Sequence, residues 1–480
     1  MVKIEGRIFD SNTGELVEAR VQIQDPTGNN IGPQGALWKV GTGEPFFYSG
    51  GEFSVQATRG YYRVLVERGT EYRPWQKTVE VTGAHTKTVD VSLERWTDLG
   101  TLGWHPGNTH IHYDEKETRP DERLRYDPRV EDLRMTAVSI LKRWDLEYAT
   151  NKYPAGILTE FTDTHHLVQC GEETRHNAGG AHEIGYGHVM LLNLRNYVDP
   201  ISRGLLVDAF DPDYPPLIYA CDDARRQGGL VIWCHNGRGM EAPVAAALKR
   251  LDAMNLFDPY WSDVEYDLWY RMLNSGARLP ASTGSDWFVS SANRVYVDTG
   301  GAFDYGAWLE GMRAGRTFIT NGPALFIVVN GQAPGATVHV KPGEDITVNI
   351  RWESYYPIER IELINDGKVI KHHSPTVEET KGGLEYELSV HADGWIAARL
   401  GSTCRDSFAQ PVWAHTSPVY VDVGGVKSEA RREAAAILVN EIETSMDWVR
   451  SKGRFYSDSQ RNEIIDLFSQ AQELYRGAAG

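Results

Sequence analysis

The sequence predicts a multidomain α/β plus all-β protein: an α/β barrel flanked by two β-sandwiches, with a C-terminal helical hairpin. Three observations carry that expectation. Short alternating strands with polar turns fill residues 1–96 and again 324–425. Between them, in 97–323, helical stretches alternate with short, wholly apolar runs, the pattern of strands covered on both faces. From 426 to 480, apolar residues recur at helical spacing around a single glycine break. At 480 residues the chain also exceeds what one hydrophobic core accommodates.

In the first region, Val2, Ile4 and Gly6 lead into Arg7-Ile8-Phe9-Asp10 and the turn Ser11-Asn12-Thr13-Gly14. Residues 19–24 alternate as a half-buried strand, and 53–55, 62–66 and 87–91 continue the series. The stretch from Gly6 to Gln24, with the glycine-led strand at Gly51, resembles the carboxypeptidase regulatory-like domains. That resemblance implies an accessory module without chemistry of its own. In the middle region, 216–227, 244–251 and 264–274 read as helices, the first stopped by Gly228-Gly229 and the last by Gly276. Residues 230–234 and 279–284 read as buried strands. In the third region, 326–329, 346–350 and 358–364 alternate as strands, the last ending at Asn365-Asp366-Gly367. In the tail, Ala435, Leu438, Ile442, Met446 and Val449 mark one helix, and Gly453 breaks it. Ser457 and Gln460 form a capping box for a second, carrying Ile464, Leu467, Phe468, Ala471 and Leu474. A homo-oligomer through this helical tail is one expectation.

Lys plus Arg total 49 against 66 Asp plus Glu, a formal charge of −17, so a phosphate-rich polymer is repelled at long range and no nucleic acid is expected as partner. Cys170, Cys221, Cys234 and Cys404 form no C-x-x-C pair and are too few for a disulfide scaffold; buried free thiols are expected. No run reaches the roughly 18 apolar residues of a membrane span, and the first residues carry no apolar leader. No membrane partner is expected. The chain reads as soluble, cytoplasmic as written or exported if a leader was removed. Its expected partner is a small-molecule or oligomeric substrate.

The chemistry concentrates in the middle third. His110-Ile111-His112 follows an apparent strand start at Trp104. Residues i and i+2 of a strand share a side, so both imidazoles can meet one ion. Downstream come Glu172-Glu173, then His188 opening an apolar run, His235 ending the buried strand 230–234, and Asp286 after Thr283-Gly284-Ser285. Active sites of α/β barrels gather at the C-terminal ends of strands. These positions therefore offer imidazole or carboxylate towards one region.

The set Thr109-His110-Ile111-His112, Gly171-Glu172-Glu173, Gly187-His188, His235-Asn236 and Gly284-Ser285-Asp286 resembles the polymerase and histidinol phosphatase (PHP) superfamily. More narrowly it resembles the CehA/McbA metallohydrolases, whose late motif corresponds to the run from Gly315 to Pro323. The resemblance spans 97–323. It implies a distorted (β/α)7 barrel with a metal centre at the strand ends. It implies His110, His112, Glu173 and Asp286 around one ion, with Glu173 bridging to a second held also by His188 and His235. Two positions depart from the family pattern. Lys142-Arg143 follows the second strand where members carry Asp-His, and Phe288 stands where many carry His. Both missing histidines would serve a third metal, so that site is expected to be absent. Lys142 is expected as an ordinary ammonium or salt bridge rather than a carbamylated bridge.

Nitrogen and oxygen ligands without cysteine suit Zn, Mn or Fe, as one or two divalent ions. The expected reaction is hydrolysis of an ester, carbamate or related bond by metal-activated water. Glu173 and Asp286 are the candidate catalytic carboxylates, with Lys142, Arg143 and Arg294 as cations for a substrate oxygen. Arg175 and Arg238 are further candidates for that role. A phosphoesterase is the alternative, favoured if Lys142 and Arg143 point at the metals. A glycan- or partner-binding protein with a degenerate barrel is a third reading, opposed by the survival of six ligand positions. His165, His166, His176 and His182 are weaker candidates. The long stretch from Tyr148 to Gly187 is expected to guard the pocket. Cys170 and Cys234 are expected to point away from the metals.

Overall fold

The computed structural model describes residues 2–83, 85–177, 184–208, 210–257, 266–286 and 291–479. At the N-terminus, two sheets enclose one apolar core. Val2–Asp10 lies between Glu52–Ala57, antiparallel, and Lys87–Leu93, parallel. The facing sheet is built on Ala19–Gln24, Gly60–Glu67 and Trp75–Val81. Period-2 alternation sends Ile4 and Ile8 from one sheet, and Val21, Ile23, Val64 and Val66 from the other, into that core, all fully buried.

The middle of the chain is one strongly curled sheet. From one edge its strands run Ala281–Ser282, Ala253–Asn255, Leu230–Trp233, Ile184–Leu192, Leu167–Asn177, Met135–Ile140 and Trp104–Ile111. All neighbours in this series are parallel except where Ile184–Leu192 opposes both of its own. The curl brings the first edge back onto the last strand. Ile111 pairs in parallel with Asp286, and the N–H groups of Ser285 and Asp286 both donate to the His110 carbonyl. This approach needs Gly284, because a Cβ there would lie 2.5 Å from that of His110. The residues that follow the strands therefore converge inside the curl.

Helices cover the outside. Leu217–Arg226 begins where the Glu241 carboxylate accepts the free N–H groups of Leu217 and Ile218, and it ends before Gly228, which has φ 83°. Ala242–Ala247 is shorter than the sequence pattern suggests, because Lys249 turns left-handed with φ 56°. Asp267–Asn274 is the third.

The curled sheet does not stop at residue 323. Arg294–Asp298 pairs with Trp104–Ile111, Thr317–Thr320 pairs with Arg294–Asp298, and Pro411–Thr416 pairs with Thr317–Thr320. The exposed edge of Thr317–Thr320 would be left with unmade ladder bonds, and Pro411–Thr416 supplies them. One sheet thus runs from the middle region into the C-terminal β region. A separate sheet of Ala324–Val329, Glu344–Glu353 and Lys381–Val390 closes a second core over it, with Ile346, Val348 and Ile350 against Leu363 and Ile396.

The tail forms the helices Glu429–Ser451 and Asp458–Ala479. Ser457 Oγ accepts from Gln460 N at 3.3 Å, and Gln460 Oε1 accepts from Tyr456 N at 3.0 Å, one residue before the Ser457 N–H of a reciprocal box. The stripe Leu438, Ile442, Met446 and Val449, with Ile464, Phe468 and Ala471, belongs to the same core as Leu230–Trp233. Tyr475 ties the second helix down by donating to the Pro243 carbonyl. That apolar face is thus packed on this chain's own middle region, while Leu474 points outward, 53% exposed. Cys170, Cys221 and Cys234 are buried and in no disulfide, and Cys404 is half-buried. Among the described residues, no helix is long and apolar enough to cross a membrane.

Candidate metal centre

His110 and His112 leave the end of Trp104–Ile111 on the inner side of the curl, both buried. His112 Nδ1 lies 2.9 Å from the Ser139 carbonyl. A carbonyl only accepts, so Nδ1 carries the proton and Nε2 is left with its lone pair. That Nε2 faces Glu173 Oε2 at 2.6 Å. His110 Nε2 lies 3.3 Å from the same oxygen, 3.2 Å from Asp286 Oδ1 and 3.2 Å from His112 Nε2. The other oxygen of Glu173 faces a second group. Its Oε1 lies 2.9 Å from His188 Nδ1, and His235 Nε2 lies 2.9 Å from that same Nδ1. His188 Nε2 meets the Asn177 side-chain oxygen at 2.8 Å, so the Nδ1 lone pair is the one turned inward.

His110, His112, Glu173 and Asp286 form one cluster, and Glu173, His188 and His235 a second. Within each, one donor atom per residue lies within 4.8 Å of all the others. Glu173 belongs to both. Asp286 also leans towards the second, with Oδ2 3.9 Å from His235 Nδ1.

The backbone is bent to deliver these side chains. His235, Asn236 and Asp286 have φ of 53°, 58° and 51°, left-handed values that non-glycine residues avoid. Asn236 holds its bend by accepting the Phe257 N–H at 2.7 Å.

Burial favours a neutral Glu173, yet the imidazoles of His110, His112 and His188 outweigh it and hold the carboxyl well below its usual range. Burial lowers His188 to about 4 against the pull of Glu173. Burial also acts to lower His110, but Asp286, Cys234 and Glu173 raise it well above the ordinary imidazole value. Lone pairs and carboxylates facing one another at these distances need protons or a cation between them. The atoms facing the Glu173 carboxylate are imidazole nitrogens of His110, His112, His188 and His235, and this donor set of imidazole and carboxylate, without thiolate, suits a divalent metal ion.

The other expected site residues divide. Lys142 Nζ lies 3.5 Å from Glu147 Oε1. Arg143 grips Asp145 through two bonds of 2.9 and 2.7 Å and also reaches the Tyr148 hydroxyl, whose ring centre is 5.2 Å from that of His112. Burial and nearby Glu173 push the Tyr148 hydroxyl up, keeping it protonated. Arg175 pairs with Asp208 at 2.7 Å, and Arg238 is exposed on the turn after His235.

Arg294 does not face the centre. It is buried and gives its donors to the Ala292 and Glu131 carbonyls and to the Glu131 carboxylate, which Arg20 of the N-terminal region also grips at 2.6 Å. Its place in a tight cross-region ion pair replaces the expected contact with substrate.

The guard expectation divides: Tyr148, Glu173 and Asn177 of that stretch lie at the clusters, residues 178–183 lie outside the described residues, and its described histidines lie elsewhere. Asp163, His165 and His166 precede Leu167–Asn177 and so lie at the entry end of the strands. There His166 bonds the Leu133 carbonyl and His165 bonds Arg134. His176 is fully buried, with Nε2 2.8 Å from Asp213. His182 and Phe288 lie outside the described residues. Cys170 packs away from the cluster against Tyr197, but Cys234 lies beside the His110 ring instead of pointing away.

Sequence reasoning passed over Tyr148 as a site residue, along with Ser139 and Asn177, because tyrosine, serine and asparagine occur throughout the chain. The one usable signal was position: Asn177 and Ser139 both lie on strands that carry or adjoin the ligands. A cleft of about 870 Å³ between Trp104, Phe318, Phe326 and Arg351 includes none of the cluster residues.

No family model matches the chain, and no curated protein matches it. Among solved structures, the apo structure of Bacteroides uniformis beta-glucuronidase 3 aligns over 88% of this chain at 11% identity with a TM-score of 0.19. The chain spans 63% of that structure's length. A likeness this slight carries no argument about fold or chemistry.

Proposed function

We propose that the chain is a metal-dependent hydrolase of the PHP type, close to the CehA/McbA metallohydrolases, acting on an ester, carbamate or related bond. The observation that carries this reading is the pair of clusters sharing Glu173, with four imidazoles turned towards it and the lone pairs of His112 and His188 facing inward. The curled sheet closed by the pairing of Ile111 with Asp286 is read as the distorted (β/α)7 barrel of that superfamily. His110, His112, Glu173 and Asp286 would hold one divalent ion, and Glu173, His188 and His235 another. Such ions lower the pKa of water towards ~7 and polarise the bond under attack.

The protein's own groups do the rest. Glu173 stays ionised and presents one oxygen to each cluster. Asp286, reaching between His110 and His235, is placed to take a proton from an attacking water. Tyr148, held by Arg143 and kept protonated, is placed to donate to an oxygen of the substrate. Because Lys142 and Arg143 are paired with Glu147 and Asp145, the geometry favours a neutral acyl substrate over a phosphate ester.

The test is elemental analysis of protein purified without chelator, followed by a panel of nitrophenyl esters, carbamates and phosphates. One or two ions per chain, with acyl turnover that chelator abolishes and metal restores, is expected. Metal-free protein without turnover on any of them, even after reconstitution, would refute it.

A further inference from the structure

We infer that Asn177 and Asp208 are positioning residues that set the His188 ring, and that the loop residues 198–208, with Asp213, are the brace that holds them. The inference rests on the metal reading of the site.

The loop is laced to the ligand strand Leu167–Asn177 along its length. Glu172 accepts the N–H groups of Val198 and Ser202 at 2.8 and 2.7 Å. Burial raises this carboxyl to about 7, against those two bonds. Ser202 Oγ donates to the carbonyl of Glu173 at 2.9 Å, and Arg203 reaches the carbonyl of Arg175. Asp208 then divides its two oxygens: Oδ2 takes Arg175 at 2.7 Å, and Oδ1 takes the backbone N–H of Asn177 at 2.8 Å. Asp213 closes the series on His176.

Asn177 is the link between this brace and the cluster. Its backbone is fixed by Asp208, and its side-chain oxygen accepts from His188 Nε2 at 2.8 Å. That bond does two things to His188. It puts the ring proton on Nε2, leaving the Nδ1 lone pair for the cluster, and it fixes the rotation that brings Nδ1 to 2.9 Å from Glu173 Oε1. Neither Asn177 nor Asp208 has an atom in the clusters themselves. Their effect must therefore be read as the affinity and electronic environment of the ion at Glu173, His188 and His235, with the ion at His110, His112 and Asp286 less affected.

The experiment is a zinc titration of the full chain by calorimetry, with cobalt absorption spectra in parallel, on wild type, Asn177→Ala, Asn177→Asp and Asp208→Ala. Loss of an outer hydrogen bond of this kind lowers metal affinity by about 10- to 100-fold. Asn177→Ala should lose that much for one of two ions and alter the cobalt spectrum. Asn177→Asp keeps an oxygen facing Nε2 and should restore binding to near wild type. Asp208→Ala should weaken the same ion, by less. Wild-type zinc affinity in Asn177→Ala, or equal weakening in Asn177→Ala and Asn177→Asp, would overturn the inference. If Asn177→Ala fails to fold, Asp208→Ala decides: unchanged affinity for both ions overturns it. A wild-type chain that takes up no zinc or cobalt overturns the metal reading and the inference together, whereas a wild type that binds two ions with variants that match it overturns the inference alone.

Discussion

Replacing Glu173 with Gln keeps the shape of the side chain and removes the charge that both clusters share. The wild-type carboxylate touches His112 at 2.6 Å, His188 at 2.9 Å and His110 at 3.3 Å, so its loss strips an anionic ligand from both clusters at once. A ligand that binds only the folded state stabilises it by RT ln(1 + [L]/Kd), about 2.7 kcal/mol at a hundredfold excess over Kd. An unfolding entropy of about 2 cal/mol/K per residue, summed over 480 residues, converts this to a melting shift of about 3 °C, or more if the middle region melts on its own. The assay is differential scanning calorimetry of chelator-treated protein with and without added zinc. Wild type should gain that shift and Glu173→Gln should gain none, while its metal-free melting temperature falls, because the imidazoles of His110, His112 and His188 hold this carboxyl ionised in the folded chain and lose their partner. A metal-induced shift of wild-type size in Glu173→Gln would show that the carboxylate is not a shared ligand, and the two-cluster reading would fall.

Arg294→Met should destabilise the fold by about 2–4 kcal/mol, because it takes from buried Glu131 one of its two guanidinium partners, while zinc affinity by titration stays unchanged; altered affinity with normal stability would return Arg294 to the site. Tyr148→Phe should keep full metal content yet lower kcat by about a hundredfold on the best ester, as expected for loss of a proton donor; unchanged kcat would remove the hydroxyl from the chemistry. His415 is buried and neutral, its Nε2 2.6 Å from the Tyr270 hydroxyl and its Nδ1 2.7 Å from the Thr416 carbonyl, and burial pushes it down to about 3 from 6.5. The folded chain resists protonation there and the unfolded chain does not, so stability is complete above pH 6.5 and is lost as pH falls towards 3. By pH 5 this amounts to about 2 kcal/mol. Melting temperatures at pH 7 and pH 5 should show a smaller drop in His415→Gln than in wild type, and an equal drop would exclude His415 as a source.

Much of the site was legible because its residues follow strands. His110 and His112 are readable from the two-residue period, His235 and Asp286 from the apolar runs they end, and all lie together in the structure. Arg294 was not readable. Its partner Glu131 lies 163 positions away on another element, and nothing in the local pattern distinguishes a buried structural arginine from one facing a cleft. The placing of His165 and His166 failed for a reason already in the sequence. They precede the strand that delivers Glu173, so the rule that gathers active sites at strand exits puts them at the opposite end. The continuity of the sheet past residue 323 was also hidden, since pairing of Thr317–Thr320 with Pro411–Thr416 depends on which edge is left open, not on either strand's own composition.

What the centre costs the fold argues for a role beyond stability. His235 and Asp286 hold left-handed backbone angles, a strain of about 1–3 kcal/mol each. Around them, two carboxylates and four imidazoles are largely withdrawn from water and turned towards one another. Leucine or methionine of similar volume would pack the same space without desolvated charge, and such replacements of buried ionic groups are often neutral or stabilising. The surrounding structure instead adds holding bonds: Ser139 to His112, Asn177 to His188, Asn236 to Phe257. Polar groups kept in an unfavourable place, each steered from outside by a specific partner, are what a preorganised binding centre requires. On that argument the chelator-treated chain should be strained relative to the metal-loaded one. The same calorimetry that tests Glu173→Gln should then find His235→Ala more stable than wild type without metal, and less stable than wild type with it. If His235→Ala is instead destabilised to the same extent in both conditions, the histidine is a packing residue and the centre does not extend to it.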